Sequence, residues 1–195
     1  MCSSDLHELG VEAAIVDAAP LALSNAFTQT LPREVTQEAD AHVLLDLGHR
    51  SAWLTLRIKG QPFFARRIDW GGTSLVQAIA TVLPGGHDEA AAWLRTPGTS
   101  LRQDLPAAHA GRDAVTRLAE EIRRSLAFYG TTAPLPEAVM VHVSGGTARL
   151  DGLVEHLGAA LGRRTRLFGP SEAGSKDAPM APQFAQALGL ALRFE

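Results

Sequence analysis

Apolar and polar positions alternate most regularly between residues 42 and 68, in three short runs, His42–Leu47, Ala52–Ile58 and Phe63–Ile68. In the middle run Trp53, Thr55 and Arg57 alternate with Leu54, Leu56 and Ile58, the period of a strand with one covered face. Gly48 with His49 and Arg50 punctuates the first junction and Lys59-Gly60 the second, turns short enough for an antiparallel meander. After Gly71 and Gly72 the period lengthens, predicting a helix to about Val82, then a second helix over Asp88–Arg95. Residues 84–110 read as a small insertion. Leucines, alanines and a valine at helical spacing make Arg112–Tyr129 the strongest helix in the chain.

Ala138–Val143 is a nearly continuous apolar run of strand length, as expected of a strand buried on both faces. Ser144-Gly145-Gly146-Thr147 follows, then a helix to about Leu161, a strand over Thr165–Phe168, a loop to Pro182 and a terminal amphipathic helix over Gln183–Arg193. Upstream, Val11–Val16 reads as a strand and Pro20–Leu31 as a helix, and the polar stretch Pro32–Asp40 is the best candidate for a domain boundary. From residue 41 onward the order is three antiparallel strands, then helices alternating with parallel strands. That is the order of the ribonuclease-H-like unit, which actin-type ATPases use twice: an α/β fold with a mixed five-stranded sheet and helices on both faces.

Composition narrows the function. The 195 residues carry 18 Lys and Arg against 21 Asp and Glu, a formal net charge of −3, so no basic field holds nucleic acid or an anionic membrane. The single cysteine, Cys2, forms no internal disulfide, which suits a reducing compartment. No apolar run reaches the roughly 20 residues that span a bilayer. The seven histidines are scattered without metal-ligand spacing, and no Gly-x-Gly-x-x-Gly, P-loop or Gly-x-Ser-x-Gly pattern is present. Residues 1–8 read as a non-native or disordered start.

Three places remain that carry chemistry. Asp46, Gly48 and Ser51 lie at the turn after the first meander strand, where a carboxylate holds hydrated Mg2+ and a glycine lets a phosphate approach the backbone. A tight turn begun by Asp46 is an equal reading. Ser144, Gly145 and Gly146 end a buried strand, where two glycines admit the sugar or base of a nucleotide or serve only the turn into the next helix. Glu120, Arg123 and Arg124 lie about one turn apart, where an Arg stacks on a base or the three make a solvated helix face.

The stretches HVLLDLGHRSAWLTL, RRIDWGGTSLVQAI, LAEEIRRSLAFYG, VMVHVSGGTARLDGLVEHL and APQFAQALGLALR, in this order, resemble the PilM family of type IV pilus assembly proteins. That family belongs to the actin-like ATPase superfamily, which also contains the cell-division protein FtsA. The resemblance implies ATP and Mg2+ as cofactors. It places Asp46, Gly48 and Ser51 at the second phosphate turn, with Asp46 holding the metal through water, and Ser144, Gly145 and Gly146 at the adenosine motif. Glu120, Arg123 and Arg124 match the helix lining the nucleoside pocket. It further implies a cytoplasmic protein at the inner face of the inner membrane, which grips the cytoplasmic tail of PilN and works with other pilus assembly proteins. His49 and Arg50 are bulkier than the small residues usual after the turn's glycine.

Actin-like ATPases begin with an Asp-x-Gly turn that has no counterpart here. The chain therefore reads as one whole lobe, residues 39–195, preceded by a remnant of the other lobe, residues 9–38. The expectations are a shared site with Asp46 near Gly145, poor anchoring of residues 9–31, and weak Mg-ATP binding without hydrolysis. Rival readings are the actin-like L-protein of type II secretion, an FtsA-like protein, a non-hydrolysing scaffold, and a two-metal nuclease joining Asp46 with Asp69 or Asp151.

Overall fold

The computed structural model describes residues 8, 10, 16–30, 39, 41–131, 139–170 and 181–194. All of the expected strand at Val11–Val16 except Val16, nearly all of the expected linker, the start at residues 1–7 and the loop at 171–180 fall outside them. The first helix, α1, runs over Ala19–Thr30. Three strands follow, β1 (Ala41–Leu47), β2 (Ala52–Ile58) and β3 (Gln61–Ile68). Helices α2 (Gly72–Ala80), α3 (Gly86–Arg95) and α4 (Pro106–Gly130) lead to β4 (Val139–Ser144). Helix α5 (Leu153–Leu161), β5 (Thr165–Leu167) and α6 (Ala185–Ala191) complete the order.

The five strands form one sheet in the order β3-β2-β1-β4-β5. β1 pairs antiparallel with β2 and β2 with β3, while β4 lies parallel to both β1 and β5. This is the mixed sheet expected from the alternation of elements, with β1 and β4 at its centre and buried along their whole length. Inward-facing Val43, Leu45, Leu54, Leu56, Val141 and Val143 join α2, α4 and α5 in the larger core. Residues at successive strand positions point to opposite faces, so Leu44 belongs to a second core with Leu23, Ala26 and Phe27 of α1, Phe168 and Ala185.

That second core corrects two expectations. Thr55 and Arg57 do not face solvent but are buried, because α1 covers the far face of β2. Arg57 reaches α1 through Thr28 Oγ1 at 2.9 Å and also donates to the Gly60 carbonyl. Residues 19–30 are likewise not poorly anchored. Phe27 is 2% exposed, and α6 lies so close to α1 that a Cβ on Gly189 would sit 1.7 Å from the Ala22 carbonyl oxygen.

Two helix boundaries also differ. α4 begins at Pro106 rather than Arg112, since a proline at the first helical position loses no hydrogen bond and Ala107 and Ala108 are buried. The helix expected straight after Gly146 is instead a 3-10 turn, Gly146–Arg149, broken from α5 by Gly152 at φ 80°. The segment between α3 and α4 is pinned to the lobe by Ser100, which donates to Asp151 Oδ2 at 2.5 Å.

Candidate functional site

The C-terminal ends of β1 and β4 lie side by side, with Asp46 paired to Ser144 in register. Strand ends in an open α/β sheet are where ligands collect, because two chains leave in opposite directions and open a crevice. The Gly48 N–H donates to the Ser51 carbonyl at 3.1 Å and closes the β1–β2 turn. The Gly48 and His49 carbonyls then accept the N–H groups of Gly72 at 3.1 Å and Thr73 at 2.8 Å, so the turn caps α2. From the β4 side, Thr147 Oγ1 donates to the Gly48 carbonyl at 2.8 Å.

Gly145 is the position where only glycine fits. Its φ is 92°, and a Cβ there would sit 2.4 Å from the Leu47 carbonyl oxygen. At Gly146 the same construction meets nothing within 4 Å, so this glycine faces open space. The two turns are therefore in contact, as the expectation of a shared site requires.

Asp46 lies on the face covered by α1 and α6 and is 9% exposed. Ser144 Oγ donates to its Oδ1 at 3.2 Å, and Gln186 Nε2 donates to its Oδ2. Burial raises the Asp46 carboxyl above its ordinary range, and the hydrogen bonds from Ser144 and Gln186 pull it back. On the opposite face, beyond Gly146, a cleft of about 880 Å³ is bounded by His49, Gly72, Leu75, Leu94, Arg95 and Arg149 among others. Its lining carries two arginines and a histidine but no carboxylate.

The structure does not bring Glu120, Arg123 and Arg124 to this cleft. Helical period sends Glu120 and Arg124 to a separate groove of about 650 Å³ beside Arg66, Asp69 and Gln77. Arg123 points another way and donates to the Ala160 carbonyl of α5 at 2.5 Å. Arg149, exposed in the turn after Gly146, and Gln186 are residues that the sequence reading missed. Neither carboxylate of the nuclease reading joins Asp46: Asp69 pairs with Arg67 at 3.1 Å, and Asp151 holds Ser100 and Arg102. Among the described residues no group of three or more His, Cys, Asp or Glu side chains is placed to hold a metal ion.

The sequence profile of the family described as Type IV pilus assembly protein PilM matches residues 3–195. The chain belongs to this family. Curated proteins yield no significant match. Among solved structures, the PilM–PilN type IV pilus biogenesis complex is similar at 27% identity and a TM-score of 0.74, over 96% of this chain and 55% of that one. The ethanolamine utilization protein EutJ from Carboxydothermus hydrogenoformans matches at 19% identity and a TM-score of 0.73, over 96% of this chain and 57% of that one. MreB 5 of Spiroplasma citri, bound to AMPPNP, matches at 14% identity and a TM-score of 0.62, over 95% and 60%. The fold is that of the actin-like ATPases, and the chain spans just over half the length of these three structures.

Proposed function

We propose that this chain contributes the adenine-nucleotide-holding lobe of a PilM-type adaptor in type IV pilus assembly. Phosphates sit at the Asp46–Gly48–Ser51 turn, and the nucleoside crosses the strand ends past Ser144, Gly145 and Gly146 into the cleft beside Arg149. The carrying observation is the contact between the two turns, with a cleft opening past Gly146 whose charged lining is basic alone. Asp46 faces one side of the sheet and the cleft the other, so the ligand must be elongated and able to pass a glycine edge. The residues fit such a group: a hard carboxylate oxygen suits hydrated Mg2+, Gly146 leaves room, and a planar guanidinium stacks on a base. Bound Mg2+ supplies charge neutralisation of the phosphates.

The complex of PilM with PilN supports a PilN-type cytoplasmic tail as partner of the whole adaptor. Such an adaptor works at the inner face of the inner membrane through its partners, and among the described residues no helix is long and apolar enough to cross one. Calorimetry with Mg-ATP on the wild type, Asp46→Asn and Gly146→Val is the test. Weak binding that falls in both variants is expected; tight binding indifferent to both would place the site elsewhere.

A further inference from the structure

Residues 182–189 touch both halves of the candidate site and α1 at once. The Pro182 carbonyl accepts the Gly145 N–H at 2.9 Å, Gln186 in the first turn of α6 donates to Asp46 Oδ2, and Gly189 seats its backbone against Ala22 of α1. A glycine contact this close fixes α6 against α1, and Gln186, about one turn before Gly189, is fixed with it. Gln186 is the one polar side chain in the run Ala185–Ala191. It leaves the apolar packing of α6 to meet a carboxylate that is itself almost fully enclosed.

A carboxylate offers about four lone-pair sites. Among the described residues Ser144 uses one on Oδ1 and Gln186 one on Oδ2, which leaves one further acceptor site on each oxygen. Ser144 is carried by the neighbouring strand, so it moves with Asp46. Gln186 comes from outside the sheet, and among the described residues its hydrogen bond is the one that ties the carboxylate to the α1–α6 pair.

We propose that Gln186 is a positioning residue for Asp46, holding the carboxylate in the one orientation that presents its free lone pairs to metal-bound water at the phosphate turn. This rests on the nucleotide reading and deepens it, because it makes Gln186 the determinant of the metal-dependent part of binding. A carboxylate released from this donor turns toward other partners and no longer meets the metal's water shell. Nucleotide contacts that do not pass through the metal are untouched.

Gln186→Met tests this, since methionine keeps the length and packing of the side chain and removes only the donor. In the ligand-free protein, the orientation of Asp46 is read from a crystal structure or from its carboxyl carbon resonance. In parallel, ATP binding is measured with Mg2+ and with EDTA. The expected result is a reoriented Asp46, a roughly tenfold smaller affinity gain from Mg2+, and unchanged affinity in EDTA. A merely structural Gln186 would instead lower the melting temperature and weaken both affinities alike, which overturns the proposal. So does an Asp46 that keeps its orientation, or a Mg2+ gain equal to that of the wild type. If the wild type binds no ATP under either condition, the nucleotide reading fails, and the ligand-free orientation of Asp46 alone decides the role of Gln186.

Discussion

His42 and His142 meet inside the protein, with His42 Nδ1 3.0 Å from His142 Nε2 and the ring of Phe27 closing over both. One of the facing nitrogens must donate and the other accept, so the contact requires an unprotonated acceptor. Burial pushes the His142 imidazole down to about 3, and the nearby positive charge of Arg166 and the His42 ring act in the same direction. Arg57, whose guanidinium carbon lies 5.5 Å from the Phe27 centroid, adds a further positive charge to this face.

The pair predicts acid sensitivity. In the unfolded chain the imidazole of His142 takes up a proton near pH 6.5, whereas in the fold it resists until about pH 3. The unfolded state therefore binds the extra proton between those values, and stability falls as pH is lowered through that window. The loss approaches ~1.4 kcal/mol per pH unit from this one group. Urea denaturation at a series of pH values should show it, and His142→Gln should flatten the slope relative to wild type. An equal slope in both proteins would assign the acid sensitivity to other groups.

The two glycines of the β4 turn are predicted to separate folding from binding. Gly145→Ala places a Cβ against the Leu47 backbone at a positive φ, and should cost at least ~2 kcal/mol in a denaturation experiment. Gly146→Ala meets open space and should change stability by no more than ~0.5 kcal/mol. Gly146→Val should remain folded while obstructing the cleft. A Gly146→Val protein that unfolds would show that the position is structural.

Phe27 links α1 to the sheet, with ring contacts to His142 at 4.7 Å and Phe168 at 5.8 Å between centroids. Truncating it to alanine opens a cavity where the surrounding strands cannot collapse, and should cost about 3–5 kcal/mol by thermal or urea unfolding. Removing residues 1–38 should be at least as damaging, because it uncovers Leu44 and Phe168 and leaves Arg57 without Thr28. A truncated chain that melts within a few degrees of wild type would return α1 to the role of a loosely attached extension.

What the chain discloses about itself depends on how local the cause is. The meander, the buried strand at 139–144 and the two turns each follow from a period of two or from glycine at a strand end, and these were legible residue by residue. The second covered face of β2 was not, because its cover comes from a helix near the start of the chain. The small residues Ala22 and Gly189, which let α1 and α6 touch, are more than 160 positions apart and signal nothing alone. Gln186 carried a signal that passed unread, a lone polar residue in an apolar terminal run. Glu120, Arg123 and Arg124 misled because spacing on a helix fixes which residues share a side, not what that side faces.

The proposed phosphate turn is at Asp46, and its carboxylate accepts from Ser144 and Gln186, while the cleft beyond Gly146 is open to solvent along one side. Phosphoryl transfer depends on oriented donors around the transferring group and on a site closed to bulk water. With a single turn and an open cleft, the chain should bind Mg-ATP weakly and show no hydrolysis above the buffer rate. Asp46→Asn should weaken Mg-ATP binding by roughly tenfold, through loss of a charged acceptor for metal-bound water, and leave metal-free binding unaltered. A phosphate-release assay alongside calorimetry distinguishes the outcomes. Sustained ATP hydrolysis by the chain on its own would mean that these strand ends supply a full catalytic set, and that the second phosphate turn is not needed.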